Sequence, residues 1–304
     1  MSSDNGGSLS WGWENVEEIV GPLVPGRVYV VGARPSNGKT ALLMNLLARI
    51  WRGMLDEERP LVSAFCAWTE RSRFAAIKSM AALLTGYDED LVLQDAWGQL
   101  AEGAEGTVCR EALRLNAGDG WLCTFYDHSL PTVRELSAAM KACLVPPQLV
   151  FLDYLQMIRP ERGETSFDAW MGAMRWASEL ASRGVTVFVG SQLKRRGDGV
   201  FDKYRPPYLE DFKGGGTIEE QADVALGLFR PLRRMQASDE RDLRAGMVDL
   251  ERWKEPNVMA VKVLKHRYRS TAADQLIRLY VGAQRWITDY NGNGHPMERD
   301  PIPF

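Results

Sequence analysis

The run Gly32-Ala33-Arg34-Pro35-Ser36-Asn37-Gly38-Lys39-Thr40 holds the residue types that a polyphosphate needs, in the order it needs them. Backbone N–H groups of such a loop, and of the helix it opens, point at anionic oxygens. Lys39 carries charge to the outer phosphates, and the Thr40 hydroxyl suits Mg²⁺. The strict pattern has glycine where Ala33 stands, and a methyl group is tolerated if the backbone keeps to an L-residue's allowed region. Three residues elsewhere fit hydrolysis. Asp153 ends the apolar run Leu149-Val150-Phe151-Leu152 and can bind Mg²⁺ through water. Glu70 follows the run ending at Ala67 and can orient and deprotonate an attacking water; otherwise it is an acid complementing a helix dipole. Gln192 follows the run ending at Ser191, and its amide can sense a γ-phosphate.

Such groups converge only if the chain carries them to one edge of a sheet. Arg27–Val31 reads as a buried strand feeding the loop, and Lys39-Thr40 opens an apolar helix. Further strands are expected over Leu61–Ala67, Trp121–Tyr126, Gln148–Leu155 and Val185–Ser191. Helices are expected over Arg73–Leu84, Thr132–Cys143 and Asp168–Arg183. Alternating strands and helices imply an α/β fold, a mainly parallel sheet with helices on both faces. After Glu219 come strand-like runs at Val224–Phe229, Val258–Leu264 and Gln275–Val281 without long helices between them. They form the later, partly antiparallel edge of the same sheet.

The composition is that of an ordinary globular chain: 304 residues, 45% hydrophobic and 25% charged, with no apolar run of membrane-spanning length. Met1–Ser10 has neither the basic end nor the apolar centre of a signal peptide. Cys66, Cys109, Cys123 and Cys143 show no paired or metal-binding spacing and read as reduced thiols of a cytoplasmic protein. A net charge of -3 means that any nucleic acid must bind a local basic surface. The expected organisation is a flexible tail over residues 1–10, one domain over 11–288 and a second tail over 289–304.

GARPSNGKT at Gly32–Thr40, FLDYLQ at Phe151–Gln156, SQL at Ser191–Leu193, LEDFKGGGTIEEQADVALGLFR at Leu209–Arg230 and KHR at Lys265–Arg267 resemble the C-terminal motor domain of DnaB-type replicative helicases. These are RecA-like P-loop ATPases, and the resemblance runs from about Trp11 to Ile287. It implies a RecA-like fold, ATP and Mg²⁺ as cofactors, single-stranded DNA as partner and six copies in a ring. A loader or primase is a further implied partner, and no membrane is. The N-terminal domain that such helicases usually carry is not among the matched segments. Carried over, the resemblance gives Lys39 and Thr40 to phosphate and Mg²⁺, Asp153 to Mg²⁺, Glu70 to water activation and Gln192 to sensing. Lys265 and Arg267 match a basic pair that reaches the neighbouring subunit's nucleotide. The family usually has a small, glycine-containing turn after that pair, whereas Tyr268 and Arg269 follow here.

The same resemblance makes Asp211–Thr217 the DNA loop of a central channel. Lys213 supplies charge, and Gly214, Gly215 and Gly216 let the backbone approach phosphates. Gly214 stands where the family commonly has an acid. Arg159–Phe167 is a second candidate channel loop. Lys194-Arg195-Arg196 is a basic run that either contacts DNA or is a solvated face. Pro231–Pro256 reads as an exposed insertion. Trp11 and Trp13, in an apolar stripe with Val16 and Ile19-Val20, either anchor a subunit interface or pack on their own sheet. The expected activity is a ring-forming, ATP-driven helicase. Its alternatives are a RecA-like ATPase that binds DNA without unwinding it, and an assembly scaffold that uses ATP only to oligomerise. A small-molecule kinase is disfavoured, since it would leave Lys213 and its glycines unexplained.

Overall fold

The computed structural model describes residues 9–59, 61–70, 122–124, 130–143, 145–194, 205–230, 257–270, 276–282 and 286–290, with several positions between 72 and 83. Cys109, Arg195, Arg196 and the 231–256 segment lie outside the described residues, as does nearly all of both expected tails.

Nine strands form a single sheet in the order β3-β2-β4-β5-β1-β6-β7-β8-β9. Strands β1 (Val28–Ala33), β2 (Ala64–Trp68), β3 (Leu122–Thr124), β4 (Leu149–Asp153), β5 (Thr186–Gln192) and β6 (Val224–Phe229) run parallel. Then β7 (Val258–His266), β8 (Leu276–Val281) and β9 (Ile287–Asp289) add an antiparallel edge. The strands are continuous apolar runs because both faces are covered. Tyr29, Val31, Leu149, Phe151 and Phe188 face one core, whereas Val28, Val30, Val150, Leu152, Val187 and Val189 face the other. Helix α2 (Lys39–Asp56) covers the first face. Helices α3 (Val133–Lys141), α4 (Ser166–Ser182) and α5 (Gly215–Gln221) cover the second.

Local sequence explains where α3 and α4 begin. Thr132 with Glu135, and Thr165 with Asp168, form reciprocal capping boxes that satisfy otherwise unpaired N–H groups. Each cap contributes about 1 kcal/mol.

Helix α1 (Glu14–Val20) was not among the expected helices, and its cap comes from far away. The N-cap residue is Trp13, whose side chain accepts nothing. Asp289 instead accepts the N–H groups of Glu14 (2.8 Å) and Asn15 (3.2 Å). The tryptophans turn inward. Trp13 Nε1 donates to the Ile287 carbonyl at 2.8 Å, and Trp11 meets Tyr29 edge-on at 5.3 Å. Both are 1% exposed, so the stripe packs on its own subunit and is no interface anchor. Leu9 is buried, and Asp289 belongs to β9.

Candidate functional site

The parallel strands share a carboxyl edge, and Ala33, Trp68, Asp153 and Gln192 end four of them there. Ala33 pairs with Gln192, and Trp68 pairs with Asp153. Two loop residues have positive φ, Ser36 at 63° and Gly38 at 93°, so the chain turns sharply between β1 and α2. At Gly38 this favours glycine, and a Cβ would also lie 2.5 Å from Met259 Cε. Asn37 holds the loop from within. Its backbone N–H donates to the Arg34 carbonyl (3.2 Å), and its side-chain oxygen accepts the Arg230 N–H (2.8 Å). The loop is thereby tied to the end of β6. Pro35 and Ser36 form its turn.

Asp153 is the centre of the cluster. One carboxylate oxygen accepts Lys39 Nζ, and the other accepts the Thr40 hydroxyl. The carboxylate side chain is 2% exposed, which demands such partners. Gly190 of the adjacent strand makes the space: a Cβ there would stand 2.5 Å from Asp153 Oδ1 and 3.1 Å from Lys39 Cδ. The donor set for a cation is hydroxyl and carboxylate oxygen, which fits Mg²⁺. That ion takes most of its ligands from water and phosphate and needs no protein cage. Among the described residues, no group of three or more His, Cys, Asp or Glu suited to a metal occurs.

Glu70 lies exposed in the turn after β2. Tyr154 lies beside the cluster, its ring 4.1 Å from Lys39 Nζ. Burial raises the Tyr154 pKa above the usual phenol value, and the charges of Glu70 and Asp153 raise it further. The phenol therefore stays a donor at neutral pH. Neither composition nor strand pattern marks Tyr154.

Gln192, at the same carboxyl edge, holds the start of the glycine-rich segment. Its backbone N–H donates to Gln156 Oε1 (2.8 Å), and its side-chain oxygen accepts Lys213 Nζ (2.9 Å). Gln156 also donates to the Ser191 hydroxyl (3.0 Å) and to the Lys213 carbonyl (3.1 Å). The glycines do not form the loop expected of them. Gly214 is the N-cap of α5 with φ of 90°, and Gly215 and Gly216 open that helix. Of the segment from Asp211 to Thr217, only Phe212, Lys213 and Gly214 lie between helical elements. The Arg159–Phe167 segment carries charge of both signs, with Arg159 bonded to Glu135 (3.2 Å) and Arg134 near Glu161 (3.6 Å).

Lys265 and Arg267 are not part of this cluster. His266 pairs with Val224 at the start of β6, so both residues lie at the amino edge of the parallel strands. The phosphate loop follows β1 at the opposite edge, about the length of a six-residue strand away, roughly 17 Å, and two strands across from β7. Neither side chain spans that distance to its own phosphate loop. Instead, Lys265 Nζ donates to the carbonyls of Glu219 and Ala222 at the end of α5. Arg267 bonds Asp223 Oδ1 (2.9 Å) and the Glu220 carbonyl. Burial lowers the Lys265 pKa, and the Arg267 charge lowers it further. The unexpected turn is accommodated: the Tyr268 ring carries Arg27 (4.1 Å) and its hydroxyl reaches Asp223 (3.3 Å).

Comparison with known proteins is decided over most of the chain, since the family model for the DnaB-like helicase C-terminal domain matches residues 8–279. The chain belongs to the DnaB-like helicase C-terminal domain family. Among its relatives is the replicative DNA helicase DnaB of Helicobacter pylori, 24% identical over 240 residues, which are 76% of this chain and 45% of that protein. A probable plasmid replicative DNA helicase of Chlamydia trachomatis is 25% identical over 221 residues, covering 72% of this chain and 46% of the relative. The chain thus spans about half the length of the relatives it matches. A solved DnaB-like replicative helicase, described with its interactions with primase, has a TM-score of 0.66 at 16% identity. That match covers 94% of this chain and 64% of the other. A solved ATPase domain has a TM-score of 0.65 at 17% identity, over 91% of this chain and 89% of that one. The expected RecA-like fold of this DnaB-type family is thereby shown. No described helix is long and apolar enough to cross a membrane.

Proposed function

We propose that this chain is the ATP-driven motor of a ring-shaped DNA helicase working in the cytoplasm. ATP would lie along residues 33–40, with Lys39 on the outer phosphates and Thr40 and Asp153 holding Mg²⁺, which neutralises phosphate charge. Glu70 orients and deprotonates the attacking water, and Gln192 senses the terminal phosphate. Lys265 and Arg267 act on the nucleotide of the next of six copies, a reading supported by their distance from their own loop. Single-stranded DNA runs past Lys213 and Gly214–Gly216, which contact its backbone. Primase, or a loader that opens the ring, would be met by the assembled protein.

The observation that carries this reading is the contact between Gln192 and Lys213, 2.9 Å, which ties the residue read as phosphate sensor to the residue read as DNA contact. Displacement of a labelled strand from a forked duplex tests it. Unwinding is expected with Mg²⁺ and ATP, and none with a non-hydrolysable analogue. DNA-stimulated ATP turnover without displacement would instead indicate a DNA-binding ATPase. Turnover indifferent to DNA would indicate a scaffold.

A further inference from the structure

Gln156 stands three residues after Asp153, in the short 3-10 turn Leu155–Met157 that follows β4. Its side-chain amide joins two other segments to that turn. The nitrogen donates to the Ser191 hydroxyl at 3.0 Å and to the Lys213 carbonyl at 3.1 Å, and the oxygen accepts the Gln192 N–H at 2.8 Å. Both amide protons are thus used, and a carboxylate of the same shape would have neither. Turned over, the amide would set donor against donor at Gln192 and acceptor against acceptor at Lys213. The backbones nearby are bonded as well. Lys213 N–H donates to the Gln192 carbonyl at 3.3 Å, and Lys194 N–H to the Asp211 carbonyl at 2.6 Å. Phe212, fully buried, packs against Gly32 at the head of the phosphate loop, where a Cβ would lie 2.5 Å from its ring. The root of the glycine-rich segment is therefore fixed. What can change partner is the Lys213 ammonium, which Gln192 Oε1 accepts at 2.9 Å.

We propose that Gln156 is a positioning residue that couples nucleotide to DNA, by holding the backbones of Gln192 and Lys213 so that their side chains form one shared latch. This rests on the reading of Gln192 as phosphate sensor and of Lys213 as DNA contact. While latched, Lys213 is not free for a DNA phosphate, and Gln192 is not free to turn to a nucleotide. Whichever ligand arrives first parts the pair, and the second finds it parted. Each ligand therefore strengthens binding of the other by the same factor. A hydrogen bond to a charged group makes that factor about 10-fold. Without the Gln156 amide the latch does not form, and the two ligands bind independently.

Anisotropy of a labelled single strand, titrated with and without a saturating non-hydrolysable ATP analogue and Mg²⁺, measures the factor. Wild type is expected to bind DNA about 10-fold more tightly with the analogue. Gln156→Glu keeps the length and the acceptor and loses both donors, whereas Gln156→Met keeps the length and loses all three bonds. Either change should bring the factor to within about 2-fold of unity. Analogue affinity without DNA should be no weaker than in wild type. The salt slope of DNA binding should also be retained, because Lys213 keeps its charge. Light scattering and thermal unfolding compare assembly and stability with wild type.

An analogue that leaves wild-type DNA affinity unchanged, or weakens it, overturns the proposal. Loss of coupling that comes only with loss of assembly or of thermal stability also overturns it, since Gln156 would then be structural. A folded Gln156→Met that keeps the full factor, while Lys213→Ala binds DNA poorly, overturns the proposal and leaves the DNA reading standing. Lys213→Ala binding DNA as tightly as wild type, with the same salt slope, overturns both.

Discussion

The ammonium of Lys213 donates to the side-chain carbonyl of Gln192 across 2.9 Å, and the two residues lie 21 positions apart. Phosphate contacts carry no base information, so a lysine that leaves this carbonyl for a DNA backbone reads position and not sequence. Lys213→Ala is expected to weaken single-stranded DNA binding evenly across sequences and to reduce the salt slope by about 0.7. Analogue binding without DNA should be unchanged. Fluorescence anisotropy at several salt concentrations measures this, and an unchanged slope removes Lys213 from the DNA path.

Lys39→Ala removes the charge from the phosphates and leaves Asp153 with Thr40 alone. Hydrolysis should fall by at least about 10³-fold, because phosphoryl transfer depends on positioning and charge. Glu70→Gln should bind nucleotide normally and stall at chemistry. Single-turnover hydrolysis beside analogue titration distinguishes the two defects.

Gly190→Ala places a methyl group against the Asp153 carboxylate without changing any charge. Moving that carboxylate by even 1 Å should lower kcat by about 10²-fold. Circular dichroism should show the fold intact. A variant as active as wild type would mean that the strand shifts to make room.

Arg267→Ala should be inactive alone and should regain part of its turnover when mixed with Lys39→Ala protein. Mixed assemblies contain junctions where an intact phosphate loop meets an intact Arg267. Turnover that stays at zero in assemblies shown by mass spectrometry to be mixed would count against action between copies.

Asp289→Ala leaves the N–H groups of Glu14 and Asn15 without their carboxylate. Loss of a cap costs about 1 kcal/mol, and the shift in urea midpoint should report that amount. An unchanged midpoint would show that α1 docks through Trp11 and Trp13 alone.

These residues also mark how much of the molecule could be read in advance. Strands β1 to β8 and helices α2 to α4 are legible, because their apolar runs and loop residues are local signals. Helix α1 is not, since its cap is supplied from 275 residues away and Trp13 at its N-cap offers no acceptor. Strand β9 is too short to show a pattern. In the site, Lys39 and Thr40 meet Asp153, and Gln192 ends a neighbouring strand, because each ends or follows a strand at one edge. Gln156 stands within a matched motif, yet its contacts depend on side-chain directions across neighbouring strands. The glycines after Lys213 misled for a related reason. A run of three suggests an open loop, whereas only the first takes the left-handed conformation and the next two begin a helix.

The opposite placement of Asp153 and Arg267 on the sheet fixes how completed sites are counted. On the reading proposed above, each copy carries one socket at the carboxyl edge and one plug at the amino edge, and it cannot fill its own socket. Such contacts are head to tail, and whether they close depends on the rotation between copies. An open row always ends in one plug and one socket without partners, so it has one working site fewer than it has members. Closure adds that last site without adding a molecule. Turnover per copy would then rise with the length of the row and step up when the ring shuts, and rate itself would report the state of the gate.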